Sequence, residues 1–178
     1  SEPSKVGVGI SDVMTGMYAA VAILAALRHR DETGEGQHID IALIDCQIAW
    51  LINEGVSYLL SGQRPERRGN QHPHIVPYQV FETVDGHVVV AVGNDAQFER
   101  FCELISIPEL ARDPRFLKNA QRLENREALI DVLIPHLKKY KKEHLVRLME
   151  ARGVPGGPIN TLPEVFSSDQ VAARKMKI

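Results

Sequence analysis

The sequence predicts an α/β chain, a helix–strand–helix slice of a layered domain followed by a small α+β domain. Three observations carry that expectation. First, two apolar helical patterns, over residues 11–30 and 45–60, flank a run at 37–44 where Ile39, Ile41 and Leu43 alternate with His38, Asp40 and Ala42. That period belongs to a strand with one apolar face. Second, residues 61–70 turn polar and turn-rich (Gly62, Arg64, Pro65, Arg67, Arg68, Gly69), as a linker does. Third, two β-branched runs beyond it meet at Asp85-Gly86, a hairpin signal. The boundaries that follow are 1–62, a linker and loop over 63–74, and 75–178.

Each element has a local cause. Residues 11–30 are rich in alanine (Ala19, Ala20, Ala22, Ala25, Ala26), the best helix former, and Ser11 or Asp12 can cap the start. Met14, Met17, Val21, Ile23, Leu24 and Leu27 place apolar side chains on nearly every side, which predicts a helix buried on most faces. Arg28, His29 and Arg30 suit its C-terminal dipole, and Thr33-Gly34-Glu35-Gly36 ends it. A single strand at 37–44 cannot form a sheet, so its partners must lie elsewhere. In the second unit, residues 75–81 and 87–92 are the hairpin strands. Helices follow over 95–105, behind Asn94 or Asp95, over 126–139 behind Asn125, and over 142–152, ended by Gly153. Val154-Pro155-Gly156-Gly157-Pro158 reads as a loop, and 161–166 and 168–176 as short helices.

Composition narrows the class. The chain has 178 residues, 44% apolar and 25% charged, with 21 Lys and Arg against 23 Asp and Glu. That apolar fraction excludes a disordered chain, and the charge balance argues against a nucleic-acid coat. Cys46 and Cys102 form no CxxC pair, so neither a disulfide scaffold nor a zinc knuckle is expected. The apolar run at 13–27 is about 15 residues, shorter than the roughly 18–20 a membrane span needs. Ser1-Glu2-Pro3-Ser4-Lys5 lacks an initiator Met and any leader pattern, and reads as the interior of a longer chain.

Two places could carry chemistry. Asp12 stands at the mouth of the first helix, where backbone N–H groups and the dipole favour negative charge. That serves capping or catalysis, and Gly9 and Gly16 on either side let a ligand or other backbone approach. The second place is the segment Gly69-Asn70-Gln71-His72-Pro73-His74-Ile75-Val76-Pro77-Tyr78. As a metal site His72-x-His74 lacks a completing carboxylate or cysteine, so no metal is expected. A polar connector and a functional loop fit this segment equally. Gly34-x-Gly36 is too short for a phosphate fingerprint. Lys138-Lys139-Tyr140-Lys141-Lys142 beside Glu143 reads as a solvated helix junction, and Cys46 as a small buried hydrophobe.

The blocks Gly7-Val8-Gly9-Ile10-Ser11-Asp12-x-x-x-Gly16, Thr33-Gly34-x-Gly36-Gln37-x-Ile39-Asp40 and Gly69-Asn70-x-His72-Pro73-x-Ile75-Val76-Pro77-Tyr78-Gln79-x-Phe81 occur in that order. Gly93-Asn94-x-x-x-Phe98 and Gly153-Val154-Pro155-x-Gly157-Pro158-Ile159 follow. Together they resemble the class III CoA-transferases, the CaiB/BaiF family, over almost the whole chain. The resemblance implies a partial Rossmann-like large domain, then the small α+β domain, within an interlocked homodimer. It implies an enzyme moving CoA from an acyl-CoA donor to a carboxylic acid acceptor, with no metal or bound cofactor and with CoA thioesters as substrates.

In that resemblance Asp12 matches the nucleophile, which forms an acyl anhydride and then an aspartyl-CoA thioester. Gly69, Asn70, Gln71 and His72 match the loop that closes over the substrate, with one glycine where some members have several. CoA-contacting residues are not assigned. Family chains are longer, so the resemblance implies an internal fragment, inactive in isolation. A homodimer or higher oligomer is expected, in the cytoplasm or a mitochondrion, with neither nucleic acid nor membrane as partner. An acyl-CoA racemase of the same family and an inactive assembly domain are the alternatives.

Overall fold

A computed structural model describes Ser4 and residues 6–177; apart from Ser4, the opening segment read above as interior chain lies outside the described residues. The chain forms two compact units, divided between Arg67 and Arg68.

The N-terminal unit is helical. Helix α1 (Ile10–Thr33) ends on Gly34, whose φ of 78° is the left-handed conformation glycine adopts freely. Helix α2 (Leu43–Ala49) packs against α1, and α3 (Ile52–Ser61) follows, ending on Gly62. The helix expected over 45–60 is thus two, broken where Ile52 takes a φ of 45°. Trp50-Leu51-Ile52 contains neither glycine nor proline, so no local signal marks the break.

Two further expectations fail. Residues 37–42 carry no strand pairing among the described residues, because an alternating segment needs a neighbouring strand to satisfy its backbone. Nor is α1 buried: none of its residues is, and Val21 and Leu24 are each 67% exposed, since α2 covers only part of it. At 24 residues, with a mean hydropathy of 1.7 over its most apolar stretch, α1 is long and apolar enough to cross a membrane by length and composition.

The C-terminal unit is an antiparallel sheet, β1 (Tyr78–Thr83), β2 (Gly86–Ala91) and β3 (Gly156–Ile159) in that order, covered on one face by helices. The hairpin register pairs Tyr78 with Ala91 and Thr83 with Gly86. Gln79, Phe81 and Thr83 of β1 and Val88 and Val90 of β2 point inward, the two-residue period of a half-buried sheet. Helices α4 (Asp95–Leu104), α6 (Arg126–Leu137) and α7 (Lys142–Ala151) supply the other side of the core through Phe98, Phe101, Leu129, Leu133, Leu137, Leu145 and Met149. Asn94 caps α4 by accepting from the Gln97 N–H at 2.9 Å. Asp85, in the hairpin turn, accepts from the first N–H of α7 at 2.7 Å and so caps a helix distant in sequence.

Strand β3 occupies what reads as a loop. A Cβ at Gly156 would stand 2.1 Å from Met149 Cε and 2.4 Å from the Val89 carbonyl, so a glycine lets the strand lie between β2 and α7. Residues 106–125 contain a 3-10 turn (Pro108–Arg112) and α5 (Asn119–Glu124). The chain closes with α8 (Leu162–Ser167) and α9 (Asp169–Ala173). Lys142, itself buried, donates to Glu164 at 2.6 Å. That bond, then those from the Thr161 backbone and hydroxyl, hold the Glu164 carboxyl down at about 2.

Candidate active site

Helix α1 begins at Ile10, one residue before the expected start, and the expected caps Ser11 and Asp12 do not cap it: Gly9 is the N-cap and no side chain caps the helix. Ser11 and Asp12 therefore both lie inside the first turn. Asp12 is exposed there, among backbone N–H groups that have no intrahelical acceptor. A Cβ at Gly9 would stand 2.8 Å from Asp12 Oδ2, so the missing side chain clears the space around the carboxylate. The Ser11 hydroxyl donates a short hydrogen bond to Gln47 Oε1 on α2, and the Thr15 hydroxyl donates to the Ser11 carbonyl at 2.7 Å. A cleft of about 300 Å³ between α1 and α2 is lined by Tyr18, Asp40, Ile41, Asp45 and Cys46 among others; Asp12 does not line it.

The loop residues belong to the other unit, where they form a strap along the outer edge of β1. The Val80 N–H donates to Asn70 Oδ1 at 2.9 Å, and the His72 N–H donates to the Tyr78 carbonyl at 2.9 Å. The His72 ring stacks on Tyr78 at 5.0 Å, and its Nδ1 accepts from the His74 N–H at 3.1 Å. Gly69 holds a φ of 60°, which starts the strap in a conformation suited to glycine. The Gln71 N–H donates to the Arg68 carbonyl at 3.1 Å. The structure thus brings Asn70 and His72 together on the β1 edge, while Asp12 stands in the N-terminal unit.

Charged and amide side chains that sequence reasoning missed hold the strap and the hairpin in place. Arg126 donates to the His72 carbonyl at 2.8 Å, and its other terminal nitrogen is buried without a partner among the described residues. Burial, then the Arg68 charge, lower its pKa. Asn119 accepts from the Val76 N–H at 3.1 Å and donates to the His74 carbonyl at 2.8 Å. Arg122 is fully buried: it donates to the carbonyls of Val76 (2.8 Å) and Phe116 (3.0 Å) and to Asp95 (2.9 Å), and lies 4.5 Å from the Phe98 ring centre. Burial raises the Asp95 carboxyl, but hydrogen bonds from Arg122 and Lys118 outweigh it and hold the group below the ordinary range. No signal in the polar run Lys118-Asn119-Ala120-Gln121-Arg122 separates these residues from a solvated surface. Among the described residues no three His, Cys, Asp or Glu side chains cluster as metal ligands do.

The family model for CoA-transferase family III matches residues 1–178. The chain is 43% identical over 177 residues to the succinate–glutarate CoA-transferase of Agrobacterium fabrum, covering 99% of this chain and 44% of that protein. It is 38% identical over 170 residues to the succinyl-CoA:glutarate CoA-transferase of Mus musculus, covering 96% of this chain and 39% of that one. A solved CAIB/BAIF family protein from Brucella suis superposes with a TM-score of 0.82 at 47% identity, covering all of this chain and 47% of that chain. The chain therefore spans less than half the length of these relatives.

Proposed function

Because the chain belongs to CoA-transferase family III, we propose that it carries the nucleophile of a protein that moves CoA from an acyl-CoA donor to a carboxylic acid acceptor, and that Asp12 is that nucleophile. One observation carries the reading: an exposed carboxylate in the uncapped first turn of a 24-residue helix, beside a glycine that leaves its oxygens accessible.

The Asp12 carboxylate attacks the thioester carbonyl, the C–S bond breaks, and CoA thiolate leaves an aspartyl–acyl anhydride. The thiolate attacks the aspartyl carbonyl, the donor acid departs, and Asp12 becomes an aspartyl-CoA thioester. The acceptor carboxylate then attacks that thioester to form a second anhydride and free thiolate. The thiolate takes the acceptor acyl group, and the Asp12 carboxylate is regenerated. Dividing the exchange this way replaces one hard step by easier acyl transfers. First-turn N–H groups offer donors to the oxyanions that form.

In this reading Gly69, Asn70, Gln71 and His72 form the substrate loop. Asn70 and His72 anchor it on β1, which leaves Gly69 and Gln71 to face the substrate. Succinate and glutarate, in the relatives' names, make dicarboxylates the acids to assay first. The 178 residues by themselves turn over little, and the protein acts as a homodimer or higher oligomer in the cytoplasm or a mitochondrion, with α1 packed against protein. The test uses the protein translated from the complete reading frame. With donor acyl-CoA, hydroxylamine trapping and mass spectrometry should find the adduct on Asp12, and Asp12→Asn should lower exchange at least about a thousandfold. Wild-type turnover by Asp12→Asn would overturn the proposal. Solvent deuterium entering the α-carbon without CoA exchange would mark proton transfer in its place.

A further inference from the structure

We infer that Gln47, on α2, is a positioning residue for Asp12, holding Ser11 and the first turn of α1 where the Asp12 carboxylate reacts. This rests on the reading of Asp12 given above. The turn needs holding from outside. Side chains cap α4 and α9, through Asn94 and Ser168, whereas α1 starts on Gly9 with no side-chain cap. Gly7 and Gly9 precede it, and the backbone bonds there are local, Ile10 N–H to the Val8 carbonyl (2.9 Å) and Val13 N–H to the Gly9 carbonyl (3.1 Å). Helix ends of this kind fray.

Among the described residues, the side-chain hydrogen bond that ties this turn to a distant part of the chain is the one from Ser11 to Gln47, across 36 positions. Ser11 immediately precedes Asp12, so whatever fixes Ser11 fixes the backbone carrying the carboxylate. Thr15 extends the same clasp one turn along α1 by donating to the Ser11 carbonyl. Gln47 has a firm base: its neighbour Cys46 is the buried residue of α2, and α2 packs on α1. The residue type also fits. A carboxamide presents an acceptor to the Ser11 hydroxyl without adding negative charge beside a carboxylate that must act as an anion. A misplaced reacting group costs turnover far more than it costs substrate binding.

The experiment compares Asp12→Asn, Gln47→Met, Ser11→Ala, the Ser11→Ala/Gln47→Met double variant and Gln47→Glu in the protein from the complete reading frame, with succinyl-CoA and glutarate as probes. Gln47→Met is expected to lower kcat about tenfold with KM within about twofold, the scale of one lost hydrogen bond expressed in the transition state. Ser11→Ala should match it, and the double variant should be no worse than either single change. Gln47→Glu restores an acceptor and should recover turnover at high pH, with the acid limb of the kcat profile displaced upward by the added charge. A merely structural role would lower the thermal midpoint without separating kcat from KM and without moving that limb. If Asp12→Asn is inactive while Ser11→Ala and Gln47→Met keep wild-type kcat, or their losses add, the inference fails alone. If Asp12→Asn remains active, the assignment of Asp12 fails and this inference with it. Should Gln47→Met not fold, wild-type kcat in Ser11→Ala is sufficient to overturn it.

Discussion

Replacing Arg122 by methionine tests the account of the C-terminal unit most directly. The guanidinium is fully buried and serves the carbonyls of Val76 and Phe116, both residues with no exposed surface. Methionine fills much of the volume but donates nothing, so two buried acceptors are left unpaired at about 1–3 kcal/mol each. The contact with the Phe98 ring adds about 0.5–2 kcal/mol. Against this stands the desolvation cost of the guanidinium, which methionine removes. Asp95 is 39% exposed at its side chain and can rehydrate, so its loss of a partner adds little. The balance is a destabilisation of about 3 kcal/mol. Trp50, the single tryptophan, belongs to the N-terminal unit and does not probe the C-terminal core from within. Amide exchange at Val90 and Leu133 does, and its protection should fall about a hundredfold. Arg122→Lys, which keeps the charge and one or two bonds, should fall between. A change below about fivefold for Arg122→Met would refute the assignment of Arg122 as the bond that ties Val76, Phe116 and Asp95 together.

Further predictions concern single sites. Gly156→Ala should cost about 1–3 kcal/mol, the scale of overpacking a filled site, read as a lower thermal midpoint and lost protection of the Val89 amide; an unchanged midpoint would refute the close approach of β3. The Asp95 carboxyl is lowered on folding, so its contribution is complete above its unfolded value near about 3.9 and is lost as pH falls through the folded value. Urea midpoints of wild type should consequently drop more steeply than those of Asp95→Asn below about pH 4; parallel slopes would contradict this. Burial pushes the Cys102 thiol up to about 12, so a disulfide reagent at pH 8 should label it only in denaturant. Native labelling at the unfolded rate would show that the core around it is open.

Much of the helical order was legible because it is written locally. The alanine content of α1, the Asn94 cap of α4 and the left-handed Gly153 after α7 each declare a boundary within a few residues. The Asp85-Gly86 turn declared the hairpin in the same way. What stayed hidden depends on contacts distant in sequence. Strand β3 is built from Gly156, Gly157, Pro158 and Ile159, which taken alone spell a loop; pairing with β2 and the slot beneath Met149 make it a strand. Residues 37–42 illustrate the converse, an alternation that finds no pairing strand among the described residues. Arg122 and Arg126 resemble surface arginines in sequence, and only the carbonyls of Val76 and His72, some 50 residues away (|i−j| of 46 and 54), distinguish them. For the candidate site, Asp12 and the segment 69–72 stood out by residue type and glycine placement. Gln47 did not, since an amide on an apolar helix carries no mark until Ser11 is seen against it.

The strap along β1 has a further effect. An open sheet edge is a template on which a second chain can add a strand, and soluble proteins block such edges. Here Asn70 and His72 occupy the hydrogen-bonding groups of Val80 and Tyr78 on one side. On the other, β3 is four residues long and Pro158 removes a donor from it. Neither edge therefore offers the C-terminal unit a free row of backbone groups on which a further strand could add.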